Sequence, residues 1–194
     1  MKTRTIVSTF FLLSAIAPIT SASAQTVSPP AVPANLAVPA DKIAFLIGHA
    51  YGTQHYSCLP SGKSVAWTLY GPQATLFDVA AGQIVTHFLS PNPDENGVPR
   101  ATWQHSKDTS AVWAFATASS TDPDYVAPGA IPWLRLEVVG AQSGPLGGDR
   151  LIQTTHIHRV NTTGGVAPGN GCKTSNDVGK KTLVPYETDY IFYR

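Results

Sequence analysis

The chain has 194 residues, of which 43% are hydrophobic and 13% are charged, a balance typical of one globular domain. Thirteen basic residues stand against twelve acidic ones, so the concentrated positive charge that nucleic-acid and membrane-surface binding require is absent. Sixteen glycines and sixteen prolines argue against a helical bundle, because both residues disfavour helix interiors. We therefore expect no nucleic-acid partner.

Residues 1–24 have the pattern of a cleavable secretory signal peptide. Lys2 and Arg4 precede an apolar run over residues 5–19, and small residues at 22–24 (Ala-Ser-Ala) supply a cleavage site. The alternative, a membrane anchor, needs a longer uninterrupted run of roughly 20 apolar residues. We expect a secreted or periplasmic protein with no membrane association after cleavage.

The two cysteines, Cys58 and Cys172, are expected to form a disulfide, since an exported chain meets an oxidising compartment. The bridge would close a long loop, worth about 4–5 kcal/mol in the chain-entropy account. A redox or metal-binding thiol pair is the alternative, and it lacks the Cys-x-x-Cys spacing.

Residues 25–39 form a proline-rich leader without a charged residue. Its composition predicts an extended, polyproline-like segment with little packing of its own. Residues 40–194 follow as a single domain, in which we find no internal repeat and no second linker.

Hydrophobic residues in this domain alternate with a period of two, as in β-strands. Near its start, Ile43, Phe45 and Ile47 fall on one face. In residues 133–139, Leu134 and Leu136 share a face as well. The ten predicted strands cover residues 42–47, 53–58, 65–70, 74–78, 83–90, 101–104, 111–116, 133–139, 151–160 and 187–193.

Turn-forming residues punctuate these strands, above all in the long stretch over residues 162–181. No window predicts a convincing amphipathic helix. The expected fold is therefore all-β: a single-domain antiparallel β-sandwich or closed barrel of about ten short strands with long Gly/Pro-rich loops.

Two common catalytic motifs are missing from the sequence. There is no G-x-G-x-x-G after a strand, which disfavours a dinucleotide-binding fold. There is no G-x-S-x-G either, so a serine nucleophile of the α/β-hydrolase type has no support.

Histidines supply one candidate site. His156 and His158 would project from the same face of a strand and could hold zinc or copper, if His87 or His105 completed the ligand set. The alternative is that His156 and His158 lie on a solvated sheet face.

Tryptophans supply a second candidate surface. Trp103, Trp113 and Trp133 lie on or beside predicted strands, and an exposed pair could stack on sugar rings. Burial in the core is the alternative, because a tryptophan buries a large area. Separately, Asn161 begins an N-glycosylation sequon, which matters only in a eukaryotic source.

Several blocks of the sequence resemble the family called domain of unknown function 3455, whose members are exported proteins of bacteria and fungi. The most specific are Ile-Pro-Trp-Leu at residues 131–134 and Arg-Val-Asn-Thr-Thr-Gly-Gly at residues 159–165. The other matching blocks are residues 53–58, 87–88, 102–106, 171–172 and 186–193.

The resemblance implies that one concave region is lined by Gln54, Tyr56, His87, Trp103 and Trp133. The position of His158 usually holds a glutamine in the family, which counts against a metal site there. No activity is implied, because none is established for the family.

The sequence is compatible with three interpretations of function. The first is an exported protein that binds a small-molecule or glycan-like ligand without a cofactor. The second is a metal-dependent enzyme that uses the histidine cluster. The third is a structural or interaction protein whose leader spaces the domain from a partner. The ligand and the oligomeric state are left open.

Overall fold

The computed structural model describes residues 27–194, so the predicted signal peptide lies outside the described residues. The described chain forms a closed antiparallel barrel in which each strand pairs with the next and the last pairs with the first. The strands are β1 (Ala44–Ser61), β2 (Ser64–Phe77), β3 (Gln83–Asn92), β4 (Val98–His105), β5 (Ala111–Ser120), β6 (Trp133–Gln142), β7 (His156–Gly164) and β8 (Lys181–Tyr193). The all-β prediction is confirmed, and of its two architectures the closed barrel is correct.

Helix in the described part of the chain is limited to three short 3-10 turns, Ala34–Leu36, Pro93–Glu95 and Ser175–Asp177. None of the helical segments in that part is long and apolar enough to cross a membrane.

The structure has eight long strands where the sequence predicted about ten short ones. Predicted strands 42–47 and 53–58 both belong to β1, and 65–70 and 74–78 both belong to β2. Two glycines, Gly48 and Gly52, separate the first two predicted strands, and Gly52 is not a turn residue: a Cβ there would lie 2.2 Å from the carbonyl oxygen of Gln73. Glycine is required there for close backbone approach within the sheet.

Two irregularities shift the pairing of β1. Between His55 and Tyr56 the register with β2 skips Tyr70, the extra residue of a β-bulge. Near its start, the register with β8 shifts between Ala44 and Leu46. The predicted face of Ile43, Phe45 and Ile47 is therefore wrong, because Phe45 packs against the inner core and Ile47 against the outer face.

Alternation along the strands divides the buried residues into two clusters. On β8, Tyr190 and Phe192 point into the barrel, whereas Ile191 and Tyr193 point outward. The inner cluster fills the lumen and includes Ala50, Ala74, Leu76, Val85, Trp103, Val112, Ala114, Leu136, Ile157 and Tyr186. The outer cluster contains Leu36, Val126, Trp133, Val160, Ile191 and Tyr193.

The outer cluster is covered by the proline-rich leader, so the prediction that this segment packs little is wrong. Leu36 is 0% exposed in that cluster. The backbone of the leader is fastened as well: a ring nitrogen of His158, Nε2, lies 2.7 Å from the Leu36 carbonyl oxygen. Arg135 donates from Nη1 to the Ala37 carbonyl at 2.8 Å. Apolar residues spaced among the prolines give the extended segment a side that binds the barrel.

We expect Leu36→Ala to lower the free energy of unfolding by about 2–3 kcal/mol, because it opens a cavity beneath the leader. Urea denaturation of a chain that begins at residue 25 measures the loss. Leu146→Ala is the matched control, since Leu146 is fully exposed. A Leu36 variant as stable as this control would contradict the packing described above.

The predicted disulfide between Cys58 and Cys172 is confirmed, with the two Cα atoms 5.5 Å apart. It ties the long loop between β7 and β8 to β1. The same loop is held by Trp67, whose indole Nε1 donates to the Asn170 carbonyl at 2.8 Å. A disulfide is compatible with a location outside the cytoplasm.

Candidate functional site

A cavity of about 330 Å³ opens at one end of the barrel lumen. Its volume lies in the range of small-ligand pockets. All eight strands contribute to its wall. The lining residues are Gln54, Leu69, Tyr70, Gly71, Pro72, His87, Leu89, Pro99, Arg100, Ala101, Trp103, Ala114, Phe115, Ala116, Leu134, Leu136, Arg159 and Tyr190.

The space arises from strand geometry and from small side chains. β2 and β3 pair only over Ala74–Phe77 and Gln83–His87. Beyond His87 they part, and the mouth of the cavity lies there, beside the bulge at Tyr70. On the adjoining wall, β4 and β5 present alanines, which leave room that larger side chains would fill.

Three aromatic rings form the innermost part of the wall. His87 stacks on Trp103 with ring centroids 4.2 Å apart and planes inclined by 13°. Tyr190 meets Trp103 edge-on at 5.3 Å. These contacts restrict the orientation of each ring in the wall.

His87 is held in its neutral form. Its Nδ1 lies 2.9 Å from the carbonyl oxygen of Thr102, which can only accept, so Nδ1 carries the proton and Nε2 is a free acceptor. Burial lowers the pKa of His87 to about 3, the hydrogen bond to Thr102 opposes the shift, and the positive charge of Arg159 adds to it.

Arg159 places a cation in the cavity wall. Its Nε and Nη2 donate to the carbonyl oxygen of Pro132 at 3.2 and 2.8 Å. None of the ion pairs found within residues 27–194 includes Arg159. At the rim, by contrast, Arg100 is paired with Glu95 through two hydrogen bonds of 2.7 and 2.6 Å.

The position of Arg159 depends on contact between two segments. The Thr162 hydroxyl donates to the Ile131 carbonyl at 2.6 Å, and the Ile131 amide donates to Gly164 at 2.9 Å. These bonds join residues 131–134 to residues 159–165. The two sequence blocks that most specifically resemble the family therefore contact each other in the fold. Together they determine the position of the Arg159 guanidinium.

Two buried donors in the cavity wall have no hydrogen-bond partner. They are Nε2 of Gln54 and Nε1 of Trp103. An unpaired buried polar group costs about 1–3 kcal/mol, and native proteins keep few of them. Trp133 Nε1 is a third such atom, on the outer face of the barrel.

The predicted concave region is assembled only in part. Gln54, His87 and Trp103 lie together in the cavity. Tyr56 is buried but does not line the cavity. Its hydroxyl donates to the Gly165 carbonyl at 2.7 Å and so stabilises the loop that follows β7. Trp133 lies outside the barrel beneath the leader.

The tryptophans of the glycan hypothesis are all buried. Trp103 is enclosed in the lumen, Trp113 bonds Ser90 through its indole N–H at 2.9 Å, and Trp133 is covered by the leader. None of the three offers an exposed ring to a sugar.

The histidines proposed as metal ligands do not converge. His87 and His105 are buried on the inner side of β3 and β4, whereas His158 on β7 faces outward against Tyr193 and the leader, and His156 shares its face. Residues 27–194 contain no group of three or more metal-ligating side chains that could hold an ion. His156 and His158 share one face, as expected, and that face is the outside of the barrel; the expectation that both are solvated there is wrong for His158, because the leader covers it.

Asn161, the residue of the sequon, is exposed on β7, and its Nδ2 donates to Asp189 at 2.8 Å. Arg159 and Tyr190 are among the cavity residues that sequence reasoning missed. The available signal was alternation: Ile157 points into the core, so Arg159, two residues on, shares its face.

No curated protein and no solved structure matches the chain. A family profile, in contrast, matches residues 39–194, which span the whole barrel. The chain therefore belongs to the family described as Protein of unknown function (DUF3455).

Proposed function

We propose that the protein binds a small, mostly apolar molecule in the barrel lumen, without a cofactor and outside the cytoplasm. The observation that carries the proposal is the pair of buried, unpartnered donors, Gln54 Nε2 and Trp103 Nε1, in the wall of a cavity of ligand size. A ligand acceptor atom that comes within hydrogen-bond distance of either donor would relieve it. The disulfide supports the exported location.

The chemistry of the wall favours binding over catalysis. The lining residues include no carboxylate, no thiol and no serine or threonine hydroxyl. Acid–base hydrolysis and nucleophilic catalysis mostly draw on such groups. The mouth is apolar instead: Leu69, Tyr70, Leu89 and Phe115 are exposed around it.

The structure supports the two other interpretations less well. The metal-dependent enzyme has no converging histidines, as described above. The interaction protein was to present its leader to a partner, yet the apolar side chains of that leader are packed against the barrel.

Titration with the neutral fluorescent probe N-phenylnaphthylamine tests the proposal. We expect saturable binding by the wild type and at least about tenfold weaker binding by Ala114→Phe, which fills the lumen. Ala141→Phe is the matched control on an exposed position of β6, and it should bind as the wild type does.

Overpacking can destabilise a core, so Ala116→Trp is a second obstructing variant, at an exposed position of the mouth. A probe that does not bind the wild type would overturn the proposal. Equal affinity in the wild type and in a folded obstructing variant would overturn it too.

A further inference from the structure

Resting on the proposed function, we infer that the ligand is a hydrophobic carboxylate whose head group is held by Arg159. The proposal adds the chemical class of ligand to the site. It follows from three features of the cavity: its charge, its balance of donors and acceptors, and the apolar character of its remaining wall.

The charge of the cavity is unbalanced. Arg159 lies on the inner face of β7, and the lining residues contain no carboxylate to offset it. Arg100, at the rim, already has Glu95 as its partner. A positive charge in a partly enclosed apolar site is costly unless an anion accompanies it. The wall therefore favours an anionic ligand over a neutral one of the same shape.

The free hydrogen-bonding groups are mostly donors. A guanidinium has five N–H groups, and Arg159 uses its Nε and Nη2 on the Pro132 carbonyl. Its Nη1 forms no ion pair with a carboxylate of residues 27–194. Gln54 Nε2 and Trp103 Nε1 add two further donors. A carboxylate is an acceptor-only group with two oxygens, which matches this surplus.

The carbonyl group of Pro132 orients the guanidinium of Arg159. Because the carbonyl oxygen takes two neighbouring N–H groups, the guanidinium plane is fixed before a ligand arrives. A planar carboxylate suits such a fixed fork, whereas a lysine would act only as a point charge.

The rest of the wall suits a hydrocarbon body. Leu134 and Leu136 line the lumen beside the alanines, and Leu89 and Phe115 continue this surface to the mouth. A chain running from Arg159 towards the opening would be in apolar contact along its length.

Competition against the neutral probe tests the inference, with decanoate and decanol as matched competitors. We expect decanoate to displace the probe from the wild type at a concentration about ten- to a hundredfold lower than decanol, since a hydrogen bond to a charged group is worth that much. In Arg159→Met this preference should disappear, because decanoate loses much more affinity than decanol when the guanidinium is removed. Arg159→Lys should retain part of it.

Arg135→Met is the matched control, because Arg135 likewise donates to a backbone carbonyl but lies on the outer face. It should keep the full preference for decanoate. Thermal melting and probe affinity of each variant show whether the cavity is intact. If Arg159→Met does not fold, the inference is tested by two results: the preference of the wild type for decanoate over decanol, and the reduction of this preference in Arg159→Lys.

The outcomes separate the two proposals. Probe binding with equal displacement by decanoate and decanol would overturn the carboxylate inference and leave ligand binding standing. A preference that survives in Arg159→Met would do the same. No probe binding by the wild type would overturn the proposed function itself.

Discussion

Replacing Cys58 and Cys172 by alanine is expected to lower the free energy of unfolding by about 4–5 kcal/mol. The bridge joins residues 114 positions apart. Its main effect is on the unfolded chain, which regains the entropy of a long open loop when the bridge is absent. Such a loss is comparable to the whole stability of many domains.

The folded structure around residues 58 and 172 should be retained in the double variant, because backbone hydrogen bonds remain there. The Cys58 amide donates to Lys180 at 2.8 Å, and Gly179 donates to the Cys58 carbonyl at 2.9 Å. Urea denaturation of the double variant measures the effect, and Lys173→Ala, beside the bridge, is the control. A double variant within about 1 kcal/mol of the wild type would show that the closed barrel already restricts the loop.

Acidification is expected to destabilise the protein through His87. The pKa of this histidine is about 3 in the folded protein against 6.5 ordinarily, so the unfolded chain takes up its proton first. The stabilising contribution of a neutral His87 is complete above about pH 6.5 and is lost as the pH falls towards 3. Between about pH 7.5 and about pH 5 the loss from His87 is about 2 kcal/mol, and at full protonation about 5 kcal/mol.

The variant His87→Phe isolates this contribution, because it keeps an aromatic ring on Trp103 and removes the titrating group. At about pH 7.5 it should be less stable than the wild type by about 1–2 kcal/mol, having lost the hydrogen bond to Thr102. By about pH 5 the difference should vanish or reverse.

Unfolding free energies measured at both pH values decide the matter. Val85→Ala is the control: it removes a buried side chain from the same face of β3, so it should lower stability equally at both. Burial also lowers the pKa of His105, His156 and His158, so the wild-type slope exceeds that from His87 alone. Equal slopes for the wild type and His87→Phe would contradict a neutral His87.

The strands could be predicted where local alternation decides the structure. The face shared by Leu134 and Leu136 was found from period two alone, and it is the face that lines the lumen. The breaks predicted within β1 and β2 were wrong, since glycine in a strand resembles glycine in a turn. What distinguishes Gly52 is the neighbouring strand that approaches it, a contact distant in sequence.

The site was predictable to a smaller extent. Resemblance to the family brought Gln54, His87 and Trp103 together, and the structure places all three in the cavity. Arg159 stood within a recognised block, yet its role depends on how the barrel closes. Alternation puts His156 and His158 on one face but cannot tell inside from outside, which is decided by where the leader packs.

Closure of the sheet also bears on how the protein behaves at high concentration. Every strand of the described barrel has a hydrogen-bonded neighbour on both sides, but β2 pairs with β3 only over Ala74–Phe77, so residues 64–73 of β2 are an edge without a partner on that side. Such edges are the usual template on which β-proteins join into aggregates. Self-association of this kind would start from this unpaired part of β2, which lies next to the mouth of the cavity. The colloidal behaviour of the protein is thus tied to the same seam between β2 and β3 that gives access to its interior.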